Sequence, residues 1–114
     1  MLEKDFGFTT HYVGDISLDQ ARSIFCDSEM IVGEYGAGLA HMLLLPITAK
    51  VIEIRGPMQR KSLEYEYLAK TLELAHFKVI GHSRILSKEG VARGPYKINL
   101  RTLKLIIRNI LVQD

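Results

Sequence analysis

The sequence predicts an α/β domain, Rossmann-like and three-layered, with a mainly parallel sheet. Two observations carry this expectation: short apolar runs alternate with helical patterns along the chain, and a glycine-rich turn follows the first clear run. A third limits it to one unit, because no internal repeat and no Pro/Gly/Ser-rich linker divides the 114 residues, a length that fits one core.

The first clear helix starts at Ser17, which forms an S-x-x-Q capping box with Gln20, and Ala21, Ile24 and Phe25 repeat on one face until Cys26-Asp27. Asp15 stands near the end of a strand expected ahead of it. Met30-Ile31-Val32 reads as a strand that runs into the loop Gly33-Glu34-Tyr35-Gly36-Ala37-Gly38. Leu39, Met42 and Leu43 then sit at helical spacing up to Pro46, which cannot continue a helix interior. Lys50–Ile54 is the next strand, closed by Arg55-Gly56-Pro57. A helix is expected from about Leu63 to Leu74, with Tyr65, Leu68, Ala69 and Leu72 on one side, and a strand over Phe77–Ile80. Gly81 to Lys97 has three glycines, a proline and no clean period, so it reads as a long loop. Asn99 caps a last helix whose Leu103, Ile106, Ile107, Ile110 and Leu111 keep i, i+3, i+4, i+7, i+8 spacing.

Composition excludes several classes. With 47% hydrophobic residues and a net charge of only +2 the chain is not of the disordered type. No apolar run approaches the roughly 18–20 residues of a membrane span, and the start Met1–Asp5 lacks a signal-peptide stretch, so a cytoplasmic location, or one peripheral to the membrane, is expected. Cys26 is the single cysteine, which excludes an internal disulfide and a cysteine metal cluster. Residues 1–57 carry 4 basic and 8 acidic groups and residues 58–114 carry 11 and 5, so the halves are net −4 and +6. The basic half suits phosphates, although solvated helix faces account for most of these charges.

The stretch with chemical content is strand, glycine loop, helix, from Met30 to Pro46. A helix start presents unpaired N–H groups and the positive end of a dipole, and glycines let an anion approach the backbone, so a phosphate or diphosphate is the natural ligand. Gly33, Gly36 and Gly38 do not match G-x-G-x-x-G, and there is no G-K-[ST]. By composition alone, ordinary turn chemistry explains the loop equally well.

The order of residues says more. Ile31-Val32-Gly33-Glu34-Tyr35-Gly36-Ala37-Gly38-Leu39-Ala40-His41-Met42-Leu43-Leu44-Leu45-Pro46, followed by Val51-Ile52-Glu53-Ile54, resembles the signature block of glycosyltransferase family 61, the capsular-polysaccharide and protein-O-linked sugar transferase group. Ile16–Gln20 with Ile24-Phe25 is similar to that family's helix ahead of the block. Tyr67–Leu72 and Ile98–Leu103 resemble its later segments. The family's His stands at Tyr35 here, and its Asn at His41.

The resemblance implies that residues 1–114 form a single nucleotide-sugar-binding domain, the carboxyl-terminal lobe or a fragment of a two-lobed GT-B enzyme. It implies transfer of a sugar from a nucleotide sugar, most plausibly a UDP-sugar, to a saccharide or glycoprotein acceptor, with inversion, no metal and no cofactor. A separate amino-terminal lobe or a homo-oligomer is the expected partner, and no nucleic acid. Gly36, Ala37 and Gly38 would lie against the diphosphate, with Gly33 opening the donor-binding loop, and Glu53 would hold ribose hydroxyls or orient the loop. Glu34 would turn to the sugar or a uracil N–H. Tyr35, a neutral donor with an ordinary pKa of about 10, and His41 are the catalytic candidates. Charge on the leaving diphosphate would fall to the loop amides with Arg55, Arg60 or Lys61. His11, His76 and His82 each stand alone in the sequence, and no acceptor base is assigned. The alternative reading is a non-catalytic nucleotide-sugar-binding or interaction module left from a truncated enzyme.

Overall fold

A computed structural model of the chain describes residues 2–82 and 96–113. Helices α1 (Leu2–Phe6), α2 (Leu18–Cys26), α3 (Glu64–Thr71) and α4 (Leu100–Gln113) accompany strands β1 (Met30–Glu34), β2 (Lys50–Arg55) and β3 (Ala75–Ile80). The strands form one all-parallel sheet in the order β1-β2-β3. Register pairs Gly33 with Glu53 and Glu34 with Ile54 on one side of β2, and Glu53 with Lys78 and Arg55 with Ile80 on the other. Two parallel crossovers result, the first through the 3-10 segment Ala37–Leu44 and the second through α3.

Alternation along β2 sends Val51 to one face and Ile52 to the other, both fully buried. On the Val51 face the core is Leu39, Met42, Ala49, Ala69 and Leu74, with Ile31, Leu45, Tyr65, Leu68 and Leu72 packed against it, so both crossovers lie on this side. On the Ile52 face Val79 meets Leu103, Ile107 and Ile110 of α4, with Leu2 and Phe6 of α1 alongside. Three layers are the consequence, as the alternation of runs predicts.

α2 begins as expected: Ser17 Oγ accepts from Gln20 N at 3.1 Å, and Ser17 N donates back to Gln20 Oε1 at 2.8 Å. Asn99 caps α4, its Oδ1 accepting from Thr102 N at 3.1 Å. Other expectations need correction. Among the described residues no strand precedes α2; Val13–Asp15 is a 3-10 turn. α1, which no period announces, covers the second face. Gly33 and Glu34 belong to β1, not to the loop. α3 stops at Thr71, and the chain leaves it through Glu73 at φ 59°, a left-handed turn that shortens the helix by three residues against expectation. Most of the long loop expected between Gly81 and Lys97 lies outside the described residues; within them His82 and Lys97 form an antiparallel bridge.

The largest correction concerns Ala37–Leu44, which is a 3-10 helix rather than an α-helix. Leu39, Met42 and Leu45 fall three residues apart, and with three residues per turn they eclipse on one face, where they join one core. Spacing of three, two glycines at the start and Pro46 at the end favour the tighter helix.

Candidate functional site

Open parallel sheets offer ligands the crevice at the carboxyl ends of their strands, where the loops leave the sheet. Here that edge gathers the glycine loop after β1, Arg55 at the end of β2 with Gly56 after it, and Gly81 after β3.

Each loop glycine has its own reason. A Cβ on Gly33 would stand 3.0 Å from Leu39 Cδ2, and one on Gly38 would stand 3.0 Å from Val13 Cγ2, so both permit close packing of the segment. Gly36 is nearly extended (φ 158°, ψ 171°), and a Cβ there would meet nothing nearer than Glu34 O at 3.9 Å. Leu39 N is the first amide to donate inward, to Gly36 O at 3.0 Å, so the amides of Ala37 and Gly38 have no partner within the helix. An α-helix macrodipole does not stand behind them.

Glu53 and Arg55, two residues apart on β2, share the face that carries α3 and are both completely buried. Arg55 donates from Nε to Glu53 Oε2 at 2.9 Å and from Nη2 to Glu53 Oε1 at 3.1 Å, a fork that holds the guanidinium above its ordinary pKa. His76 Nε2–H donates to Glu53 Oε1 at 2.7 Å, so both carboxylate oxygens are taken by protein. Glu53 therefore has the contacts of a residue that orients its neighbours. Farther out, Glu66 Oε1 lies 3.6 Å from Arg55 Nη2 and 3.2 Å from Lys78 Nζ; the bond from Lys78 draws the Glu66 carboxyl below its ordinary value of 4.5. Arg55 Nη1 is buried without a hydrogen-bond partner among the described residues.

Tyr35 N donates to Ile54 O at 2.7 Å, and its ring stands edge-on to Tyr65, centroids 5.4 Å apart; burial pushes the Tyr65 hydroxyl up. The structure thus brings Gly33, Glu34, Tyr35, Gly36, Ala37, Gly38, Glu53 and Arg55 to one edge of the sheet. It does not add His41, whose Nδ1–H donates to Gly38 O at 2.8 Å while its ring stacks on Phe25 of α2 at 5.3 Å. Arg60 is exposed beyond the turn Pro57–Gln59, and Cys26 is exposed as well.

Two participants escaped the sequence reading. His76 is not alone: it is tied to Glu53 and lines a cleft of about 360 Å³ between α3 and β3, with Glu66, Tyr67, Lys70, Leu74 and Lys78. The signal was present as His76 and Lys78 at period two beside the apolar Phe77 and Val79, matching Glu53 and Arg55 on β2. Tyr96 is the other. Its ring rests on Gly56 and Gly81, and its hydroxyl donates to Glu34 Oε1 at 2.9 Å. Burial, reinforced by that carboxylate, pushes its pKa up to about 12. Sixty-two residues separate Tyr96 from Glu34, and no local pattern announces such a pair.

Among the described residues no group of three or more His, Cys, Asp or Glu side chains is placed to hold a metal ion, and no helix is long and apolar enough to cross a membrane. The chain matches no model of a known protein family, no curated protein and no solved structure.

Proposed function

We propose that the domain binds a nucleotide sugar, most plausibly a UDP-sugar, at the carboxyl edge of its sheet, and serves as the donor lobe of a family 61-like glycosyltransferase of GT-B architecture. One observation carries the reading: the glycine loop leaves β1 at the carboxyl edge of the parallel sheet with the Ala37 and Gly38 amides free of helical partners. A diphosphate seated there accepts from those two amides. Arg55 lies at the next strand end with its charge compensated by Glu53, so the loop amides carry the anion in this reading.

In this reading Tyr35, just past the end of β1 with its N–H bonded to Ile54 O, donates a hydrogen bond to the departing phosphate as the sugar leaves for an acceptor hydroxyl on a saccharide or glycoprotein. Removal of the acceptor proton belongs to a partner lobe or a second copy. The second reading, binding without catalysis, draws on His41, since the candidate histidine is fastened to Gly38 O and Phe25.

Titration calorimetry with UDP and UDP-sugars tests the proposal. Ala37→Pro removes one amide donor at the first helical position, where proline is tolerated. It is expected to weaken UDP binding about tenfold or more at unchanged thermal stability. Wild-type protein that gives no heat at millimolar UDP refutes the reading.

A further inference from the structure

Tyr96 spans the carboxyl ends of all three strands. A Cβ on Gly81 would overlap its Cδ2, and one on Gly56 would stand 2.9 Å from Cε1 and 3.1 Å from Cδ1, so the two buried glycines form a cradle that a flat ring fills. The hydroxyl at the far end of that ring reaches Glu34 on β1. The occupant is held by shape, through two missing side chains, and by one hydrogen bond from a ring-borne donor to a carboxylate. Those are the features that recognise a planar heteroaromatic ring with an N–H donor on its rim.

We propose that the Gly56–Gly81 cradle is a ring-binding slot for such a base, uracil above all, and that Tyr96 is its resident intramolecular occupant, which the ligand must displace. The identity of the base rests on the donor reading above; the slot and its occupancy rest on Gly56, Gly81, Tyr96 and Glu34. A base in the slot takes over the Glu34 contact through its own N–H, and the phosphates then lie toward the loop that follows Glu34. Self-occupancy makes the free protein's apparent affinity lower than the slot's own, by the fraction of time that Tyr96 is out.

Uridine and UDP titrated into wild type, Tyr96→Ala and Gly81→Ala test this. Tyr96→Ala empties the slot and is expected to bind uridine at least about tenfold tighter than wild type. Gly81→Ala evicts the ring but fills the slot with a methyl group, and no gain is expected. Tyr96→Phe keeps the packing and loses the bond to Glu34, so a gain of about threefold is expected even if Tyr96→Ala folds poorly. Equal gains from Tyr96→Ala and Gly81→Ala would show general loosening and overturn the proposal. It is also overturned if neither Tyr96 variant gains. If wild type binds UDP with dependence on Ala37 but the Tyr96 variants gain nothing, the slot falls and the donor reading stands. If uridine gains in Tyr96→Ala while UDP binds no better than uridine and Ala37→Pro has no effect, the slot stands and the diphosphate site falls.

Discussion

At the scale of single residues, the decisive feature is a charge network sealed in the sheet. Glu53 and Arg55 are both inaccessible to solvent, and each owes its tolerable burial to the other, because an ion stripped of water and left without its counter-charge is costly. Glu53→Ala therefore strands Arg55 and is expected to lower the unfolding free energy by about 3–5 kcal/mol, whereas Glu53→Ala combined with Arg55→Met recovers most of that loss. Urea denaturation measures both, and a loss below about 1 kcal/mol for the single variant would mean that water reaches Arg55. The sequence shows two charged residues at the end of an apolar strand and invites a ligand to satisfy them. It does not show His76, which lies 23 positions away and closes the carboxylate from the protein side. Local patterns report burial and period; pairings across a sheet depend on register, which is settled only when the fold is complete.

At the scale of elements, those that are stabilised locally were readable. The Ser17 box and the Asn99 cap are encoded within four residues, and both form. Ser17→Ala is expected to cost about 1 kcal/mol in thermal unfolding, the usual worth of an N-cap. Leu39, Met42 and Leu43 also fit an α-helical stripe, which hides the 3-10 helix in the sequence; half-buried Leu45 packing on the core in place of exposed Leu43 decides for the three-residue period. Met42 is wholly buried in that core, so Met42→Ala is expected to cost about 2–5 kcal/mol by chemical denaturation, far more than the same change at exposed Met58. α3 and β3 are tied by Lys78 and Glu66, and here the effect depends on pH. The Glu66 carboxyl titrates below its ordinary 4.5 in the folded protein, so its contribution is present above 4.5 and is lost as pH falls through the lower folded value. Lys78→Met is expected to flatten the stability curve below pH 4.5 and to leave its shape at neutral pH unchanged, which denaturation at stepped pH checks.

At the scale of the whole molecule, the acidic first half meets the basic second half at Asp5 and Lys104, 3.2 Å apart between α1 and α4, and Glu53 meets His76 between β2 and β3. The sheet is asymmetric as well. Among the described residues β2 is paired on both sides, while β1 and β3 each carry one partner strand and an outer edge. In a doubly wound sheet the second half joins at the strand whose βα turn carries the glycines, which here is β1, so a GT-B lobe resembling this chain would be extended there. The half-buried faces of Met30–Gly33 and the fully buried core of β2 translate into unequal opening energies. Amide hydrogen exchange of the isolated chain is therefore expected to show Val51–Ile54 slowest and the outward-pointing amides of β1 distinctly faster. Protection of β1 equal to that of β2, and rising with protein concentration, would contradict an open edge and show a second copy adding its strand there. Protection that stays unequal at all concentrations is the outcome expected of an open edge at β1.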